Sequence, residues 1–524
     1  MRDFHLPGRS AVFAVSGMCA TSHPLAARVA LDILQRGGNA MDAALAGAVL
    51  LGICEPQMTG IGGDCFVLYS RPGNGIQALN GSGCAPADAC AADLRARGLG
   101  AVPLNSADAI TIPCAIDAFC RLAETEGQLG LDTLLQPAIH YAEHGVPVAP
   151  RTAFDWKNSA KTLQGAARKH FLKDGRPLGN GEIFRAPGQA EVLRRIARHG
   201  RDAFYSGEVA EDMTAALSAY GGTHTMQDFE AAGSFATCPV EGRYKGSRLA
   251  EHPPNGQGAT AILLLNILKH FDLGSLDPFG AERAHLEAEA AKLAYDARNR
   301  FLADPDHTAR LGHMLSPETA AQLAALIDPK HAMPAAEPLT EAVHKDTVYI
   351  TVVDKDRMSV SLIYSIFHGF GSGIASEKFG ILLQNRGAGF TLEEGHPNEF
   401  GPGKRPMHTI IPAMLKQGED VIMPFGVMGG GYQPTGHARL VSNLLDFGMD
   451  LQSAIDAPRC FTDSGTLKVE RGYSDAVRRQ LSEMGHNIET PDTPLGGAQA
   501  IRINDSGVLE GGSDPRKDGC ALGY

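Results

Sequence analysis

A strongly β-prone run, Thr347-Val-Tyr-Ile-Thr-Val-Val-Asp354, begins directly after a stretch that cannot sustain regular structure. That stretch, residues 328–346, reads DPKHAMPAAEPLTEAVHKD and carries three prolines, mixed charges and no sustained periodicity. Proline fixes φ and removes a backbone donor, so the segment reads as a mobile surface connector. β-Branched and aromatic residues then favour a pleated strand from Thr347 onward. A hydroxyl side chain therefore stands at the mouth of a strand, delivered there by a loop. In that arrangement a fold can break its own peptide bond. The Thr347 hydroxyl attacks the carbonyl of Asp346 and forms an ester, which water cleaves. The α-amino group freed on Thr347 can then serve as base for its own hydroxyl, so no metal, cofactor or histidine is needed. Taken alone, a Thr that opens a strand is an ordinary feature of sheets.

Around this point the chain changes character. The first three hundred or so residues are rich in helical patterns. Ser22 to Arg36 has a Ser22 cap and a Gly37-Gly38 stop, and Asn39 caps Ala40 to Gly52. Further patterns run over Ala115 to Glu126, Gln189 to His199, Thr260 to Phe271 and Ala281 to Leu302. Short strands are expected at Cys65 to Tyr69 and Ile76 to Leu79. After Thr347 a second β run, Met358 to Ser365, follows a short turn, and Met407 to Met414 with Asp420 to Phe425 reads as another strand pair. Helical patterns return at Gly436 to Phe447 and Ser474 to Met484. The mixture predicts an α+β fold with sheets layered between helices.

Composition narrows the partners. A chain of 524 residues with 44% hydrophobic content can bury one large core or two ordinary ones. Its net charge of −12 gives no basic face for nucleic acid and no attraction to anionic lipid. No stretch of about 20 apolar residues appears, and nothing near Met1 resembles a signal peptide, so a cytoplasmic protein with no membrane partner is expected. The ten cysteines lack CxxC pairing and are expected to be buried thiols, not a zinc site or a disulfide framework. No metal or cofactor is called for.

An ordered series of segments resembles the γ-glutamyltransferase (glutathione hydrolase) family over nearly the whole chain. It starts at Gly37-Gly-Asn-Ala-Met-Asp-Ala-Ala44 and Glu55-Pro-Gln-Met-Thr-Gly-Ile-Gly-Gly63, then Pro253-Pro-Asn-Gly-Gln-Gly258 and Ala290 to Asp306. It continues through Thr347 to Asp354, Phe370-Gly-Ser-Gly-Ile374 and Gly380-Ile-Leu-Leu-Gln-Asn385. It closes with Gly403-Lys-Arg-Pro406, Met428-Gly-Gly430 and Ser513-Asp-Pro-Arg516. The resemblance implies a four-layer αββα sandwich of the N-terminal-nucleophile (Ntn) hydrolase type. It also implies a precursor cut between Asp346 and Thr347 into a large subunit, 1–346, and a small one, 347–524. The two would be intertwined in one composite domain, with a homodimer of such pairs left open. By the same resemblance Thr347 is the nucleophile and Ser365 the hydroxyl bonded to it. Gly429 and Gly430 fall at the oxyanion hole.

The pattern departs where the family grips an amino acid. Ser82 stands in the position of an Arg that binds the α-carboxylate, and Gly389 in that of an Asp that binds the α-amino group. His408-Thr409 replaces a Ser-Ser pair, Phe367 replaces an Asn, and Arg386 stands where the family has Gln. Losing both charged clamps together points to a different acyl group, because an unpaired buried charge costs several kcal/mol. Arg386 could pair bidentately with a carboxylate that has no neighbouring amino group. It could equally be a structural arginine. His408, Thr409, Phe367, Ser82 and Tyr432 are the other candidates for the pocket. Asn385-Arg-Gly-Ala-Gly-Phe390 with His408-Thr-Ile-Ile-Pro412 looks like the branch that includes cephalosporin-acylase-like proteins and oxamate amidohydrolase. The reading is therefore an amidohydrolase acting through an acyl-enzyme on a small carboxylate-bearing amide, oxamate-like or glutaryl-like. A γ-glutamyltransferase and an unprocessed, non-catalytic binding protein are the alternatives.

Overall fold

Every residue of the strand Val348–Val353 is buried, on both faces. A strand without a wet face has to lie inside a layered structure, with apolar partners above and below. The computed structural model, which describes residues 5, 8–334 and 347–524, shows that layering. Asp346 and most of the 328–346 connector lie outside the described residues.

In chain order the strands of the two main sheets are β1 Val12–Ala14, β2 Met18–Thr21, β3 Asp64–Ser70, β4 Ile76–Gly81, β5 Phe235–Thr237, β6 Val240–Tyr244 and β7 Ser247–Glu251. After Thr347 come β8 Val348–Val353, β9 Ser359–Ser365, β10 Ala413–Gln417, β11 Asp420–Met428, β12 Gly497–Ile503, β13 Leu509–Ser513 and β14 Cys520–Gly523. One seven-stranded sheet runs β14-β2-β8-β9-β3-β4-β5 and the other β1-β13-β12-β11-β10-β7-β6. The pairings within them are antiparallel. Each sheet mixes strands from before and after Thr347, so neither part of the chain builds a sheet alone.

Period-two alternation separates the faces. Phe66, Tyr349 and Ile363 point from the first sheet toward Met428 of the second and Ile410 of the loop before β10, and form the core between the sheets. Val348, Ile350 and Val352 point the other way and pack with α1 (Pro24–Gln35) and α2 (Ala40–Cys54). The outer face of the second sheet, with Leu249, Leu415, Phe425 and Ala500, is covered by α3 (Gly258–Leu268), α4 (Ala281–Phe301) and α5 (Gln433–Leu445). Helix, sheet, sheet, helix: the αββα arrangement expected of the fold is present.

Most expected elements form within a few residues of their predicted ends, and the differences have local causes. Asn39 does cap its helix, in a reciprocal box with Asp42. Ser22 does not cap α1; His23 does, while the Ser22 hydroxyl bonds the buried Glu55. Met407 to Met414 is not one strand. β10 starts only at Ala413, because Pro412 has no N–H to give and His408 donates its N–H to the carbonyl of Asn255 instead. Six cysteines are buried as expected, but Cys90 and Cys238 are exposed. The start of the connector is tied down: Glu289 accepts from the Met333 N–H, Lys292 donates to the Met333 carbonyl, and His285 bonds the Asp328 carbonyl.

Candidate active site

Strand register sets the first row of the site. In the β8–β9 pair Val348 lies opposite Tyr364, which brings Thr347, one residue earlier, beside Ser365 at the end of β9. Ser365 lies opposite Asp64, the first residue of β3. Thr347, Ser365 and Asp64 share the parity of Tyr349, Ile363 and Phe66, so all three side chains face the second sheet. The Thr347 and Ser365 hydroxyl oxygens are 3.2 Å apart. Ser365 Oγ also accepts from the Phe367 N–H at 2.9 Å and from Arg386 Nη2 at 3.3 Å. Ser365 Oγ thus gathers two donors while standing within hydrogen-bond distance of the Thr347 hydroxyl. Thr347 and Ser365 are 2% and 0% exposed, so this contact lies away from bulk water.

Arg386 opens a 3₁₀ turn, Arg386–Gly389, and is fully buried. Its Nη1 donates to Thr409 Oγ1 at 2.8 Å, and the guanidinium carbon lies 4.0 Å from the centre of the Phe367 ring. The turn needs small residues: a Cβ on Gly387 would sit 2.8 Å from the Ala109 carbonyl oxygen, and one on Gly389 would sit 2.9 Å from that of Met407. A side chain such as Asp at 389 would not fit without moving backbone.

His408 and Asp64 form a second buried layer. His408 Nδ1 faces the Ile410 N–H, which leaves Nε2 to donate to Asp64 Oδ2 at 3.2 Å. The Gly83 N–H binds the other carboxylate oxygen at 3.0 Å. Burial pushes the Asp64 carboxyl up to about 6, against the pull of the Arg386 cation. Burial, then Arg386, drives His408 well below its ordinary range, so the imidazole is neutral.

The opposite wall is the turn after β11. Gly429 and Gly430 have φ of 114° and 55°, in the left-handed region that favours glycine. The carbonyl of Gly429 accepts from the Tyr432 N–H, that of Gly430 from Gln257, and that of Gly431 from the Tyr295 hydroxyl. Trans peptide planarity sends the N–H groups of Gly430 and Gly431 the other way. The turn leads into the N-terminus of α5, whose dipole favours negative charge there. Gln257 also donates to the Thr409 carbonyl at 2.6 Å, tying this turn to the Arg386 side.

A cavity of about 1030 Å³ joins the two walls; Thr347, Phe367, Thr409, Gly429 and Tyr432 line it. The structure thus gathers Thr347, Ser365, Phe367, Arg386, Thr409, Gly429, Gly430 and Tyr432, with Arg386, Ser365 and Gly430 behind the wall. His408 lies deeper, on Asp64. Ser82 does not line the cavity. Its hydroxyl is held by Asn80 Oδ1 at 2.6 Å and by Asn255 Nδ2 at 3.2 Å.

A family model described as Gamma-glutamyltranspeptidase matches residues 26–524. The chain belongs to this family. It is 35% identical to a glutathione hydrolase-like YwrD proenzyme of Bacillus subtilis, over 98% of this chain and 99% of that protein. It is 33% identical to an oxamate amidohydrolase proenzyme of Klebsiella pneumoniae, over 97% and 98%. Among solved structures, a cephalosporin acylase from Bacillus halodurans superposes with a TM-score of 0.93 at 36% identity, covering 100% of this chain and 99% of that one. The protein is therefore an enzyme, a hydrolase of the Ntn γ-glutamyltransferase superfamily acting on a small amide or acyl substrate. Among the described residues no helix is long and apolar enough to cross a membrane.

Sequence reasoning missed Asp64, Gln257 and Asn255. The last two lie inside the Pro253 to Gly258 segment, so the signal was present without a role. Asp64 follows Gly62-Gly63 and has no local signature; only strand register brings it beside Ser365.

Proposed function

We propose that the protein cuts itself before Thr347 and then hydrolyses the amide of a short acyl group that carries a carboxylate next to the scissile carbonyl. The carrying observation is the chain of contacts from Thr347 to Ser365 at 3.2 Å and from Ser365 to Arg386 at 3.3 Å. A cation two hydrogen bonds from the nucleophile suits a carboxylate one carbon beyond the carbonyl, as in an oxalyl group. Three intervening methylenes, as in glutaryl, would carry the carboxylate past it.

In this reading the free α-amino group of Thr347 takes the proton of its hydroxyl as Oγ attacks the amide carbonyl. The oxyanion forms against the N–H groups of the Gly429–Gly431 turn, where preorganised donors contribute several kcal/mol. The C–N bond then breaks, and the amine or ammonia leaves with the proton. Water attacks the Thr347 ester, releasing the acid and restoring the hydroxyl. Cleavage before Thr347 would leave subunits 1–346 and 347–524 sharing both sheets, so they would stay together.

The likeness to the oxamate amidohydrolase supports this choice of acyl group. The absence of Arg at 82 and of room for Asp at 389 speaks against a γ-glutamyl donor. A second reading has one specific support: the cavity of about 1030 Å³ has space for a bulky leaving amine, and a cephalosporin acylase is among the similar structures. Ammonia release from oxamate, set beside amine release from oxalyl, succinyl and glutaryl anilides, tests both. The reading fails if glutaryl or γ-glutamyl anilide is the best substrate.

A further inference from the structure

Three glycines in a row, Gly429-Gly430-Gly431, form the turn after β11, and none has a side chain with which to hold it. A peptide plane with glycine on both sides meets little steric resistance to turning over, which would reverse its N–H. In the proposed mechanism these N–H groups receive the oxyanion, so groups outside the turn have to fix them. The carbonyl of Gly430 shares a plane with the N–H of Gly431, and holding one aims the other. Gln257 holds it: Nε2 donates to the Gly430 carbonyl at 2.9 Å. The second amide hydrogen goes to the Thr409 carbonyl at 2.6 Å, and Oε1 accepts from Arg298 Nη1 at 2.8 Å. A guanidinium can only donate, so the amide cannot be turned over without setting donor against donor.

We propose that Gln257 is a positioning residue for the oxyanion donors, the clamp that keeps the Gly430–Gly431 peptide from turning over. Gln257 is fully buried and is not part of the cavity wall, so it acts through the backbone it holds. It is itself anchored: it stands immediately before α3, and its own carbonyl accepts the Thr260 N–H in the first turn of that helix. The neighbouring peptide is held from α4, where the Tyr295 hydroxyl bonds the Gly431 carbonyl and the Arg298 guanidinium carbon lies 4.6 Å from the centre of the Tyr295 ring. Thr409, at the other end of the Gln257 amide, receives Arg386 on its hydroxyl. One amide therefore spans from the residue that meets the cation to the plane that carries the Gly431 N–H. The clamp comes from before Thr347 and the turn from after it, so the larger part of the chain sets the donors of the smaller.

This rests on the reading of the Gly429–Gly431 turn as the oxyanion site, which Gly431→Pro tests by itself by removing one N–H. There is room for the change: Gly431 lies outside the left-handed region, and a Cβ on it would meet Phe461 Cζ at 3.9 Å. A kcat about a hundredfold lower in Gly431→Pro, with Gly431→Ala near wild type, supports the reading, and an unchanged kcat ends it. Gln257 is tested with Gln257→Met, similar in length but without hydrogen-bonding groups, and Gln257→Glu, which keeps the acceptor for Arg298 but turns a second acceptor toward the two carbonyls. For each, kcat and KM are measured per processed chain on the best amide substrate, beside inhibition by the product acid, which binds without an oxyanion. We expect kcat to fall about tenfold or more in both, with KM and the inhibition constant changed less than about threefold. A merely structural Gln257 would lower the melting temperature and leave kcat of the folded enzyme in place. A kcat within tenfold of wild type, or KM and the inhibition constant rising along with the loss, overturns the proposal while leaving the Gly431→Pro result to decide the reading. If one of the two variants does not fold, the other carries the same criterion.

Discussion

The guanidinium of Arg386 lies 4.0 Å from the centre of the Phe367 ring while its two ends reach Ser365 and Thr409. Phe367 itself holds a φ of 80°, unusual for a bulky residue, and its N–H bonds Ser365. The ring and the cation are therefore placed by the same hydroxyl that faces Thr347. In the chain this couples one residue read as a candidate for the pocket to the one read as its cation.

If this cation serves the acyl carboxylate, Arg386→Gln lowers kcat/KM by about 2–4 kcal/mol while cleavage before Thr347 continues. Steady-state kinetics on an oxalyl amide, with the cut followed by gel, give both numbers. Kinetics within twofold of wild type would remove Arg386 from the site.

Purified protein should run as fragments of roughly 37 and 19 kDa, the smaller starting at Thr347, because the cut is intramolecular. Thr347→Ala should stay whole and inactive, and Thr347→Ser should keep part of both functions through its hydroxyl. Intact mass and N-terminal sequencing decide the matter; an active preparation made only of uncut chain would refute the cleavage.

Restoring one lost clamp should not restore a γ-glutamyl enzyme. Gly389→Asp places a side chain 2.9 Å from the Met407 carbonyl oxygen, and Ser82 has no opening to the cavity. We expect Gly389→Asp to lose oxalyl-amide activity at least tenfold without gaining turnover of γ-glutamyl-p-nitroanilide. Efficient transfer from that donor to glycylglycine, in this variant or in wild type, would overturn the reading of the departures.

Glu55 gives a stability test independent of catalysis. Burial raises its carboxyl from 4.5 to about 7, although Lys517 and the Ser22 hydroxyl pull it down. A carboxyl raised in the fold binds its proton more tightly there than in the unfolded chain. The stability it contributes is therefore fully present below about 4.5 and is lost as pH rises to about 7. The shift corresponds to an order of about 3 kcal/mol. Glu55→Gln cannot titrate, so its melting temperature should fall less than that of wild type between pH 5 and pH 8. Parallel pH curves for the two proteins would show that Glu55 does not carry the effect.

Much was legible in the chain because it is local. The proline-rich connector followed by Thr347 to Asp354 already announced a hydroxyl at the mouth of a buried strand, and the Asn39 cap, the α1–α2 pair and the Ser359–Ser365 strand follow from residue type and period. The family's ordered segments added the Gly429–Gly430 turn and the departures at 82, 386 and 389. Met407 to Met414 misled, because its apolar alternation is real while the backbone at His408 pairs with Asn255.

What sequence could not decide is which polar groups share a buried space. Asp64, Ser365, Arg386 and His408 come from a β3 head, a β9 tail, a 3₁₀ turn and a loop, and no spacing links them. Their charge states and donor directions arise only when register sets them in one row and burial strips away water, which makes each neighbour's field count. The position of Thr347 was written in the strand it opens. The places of Arg386 and Asp64 beside Ser365, and the enclosure of Ser82 by Asn80 and Asn255, were decided by the packing of two sheets.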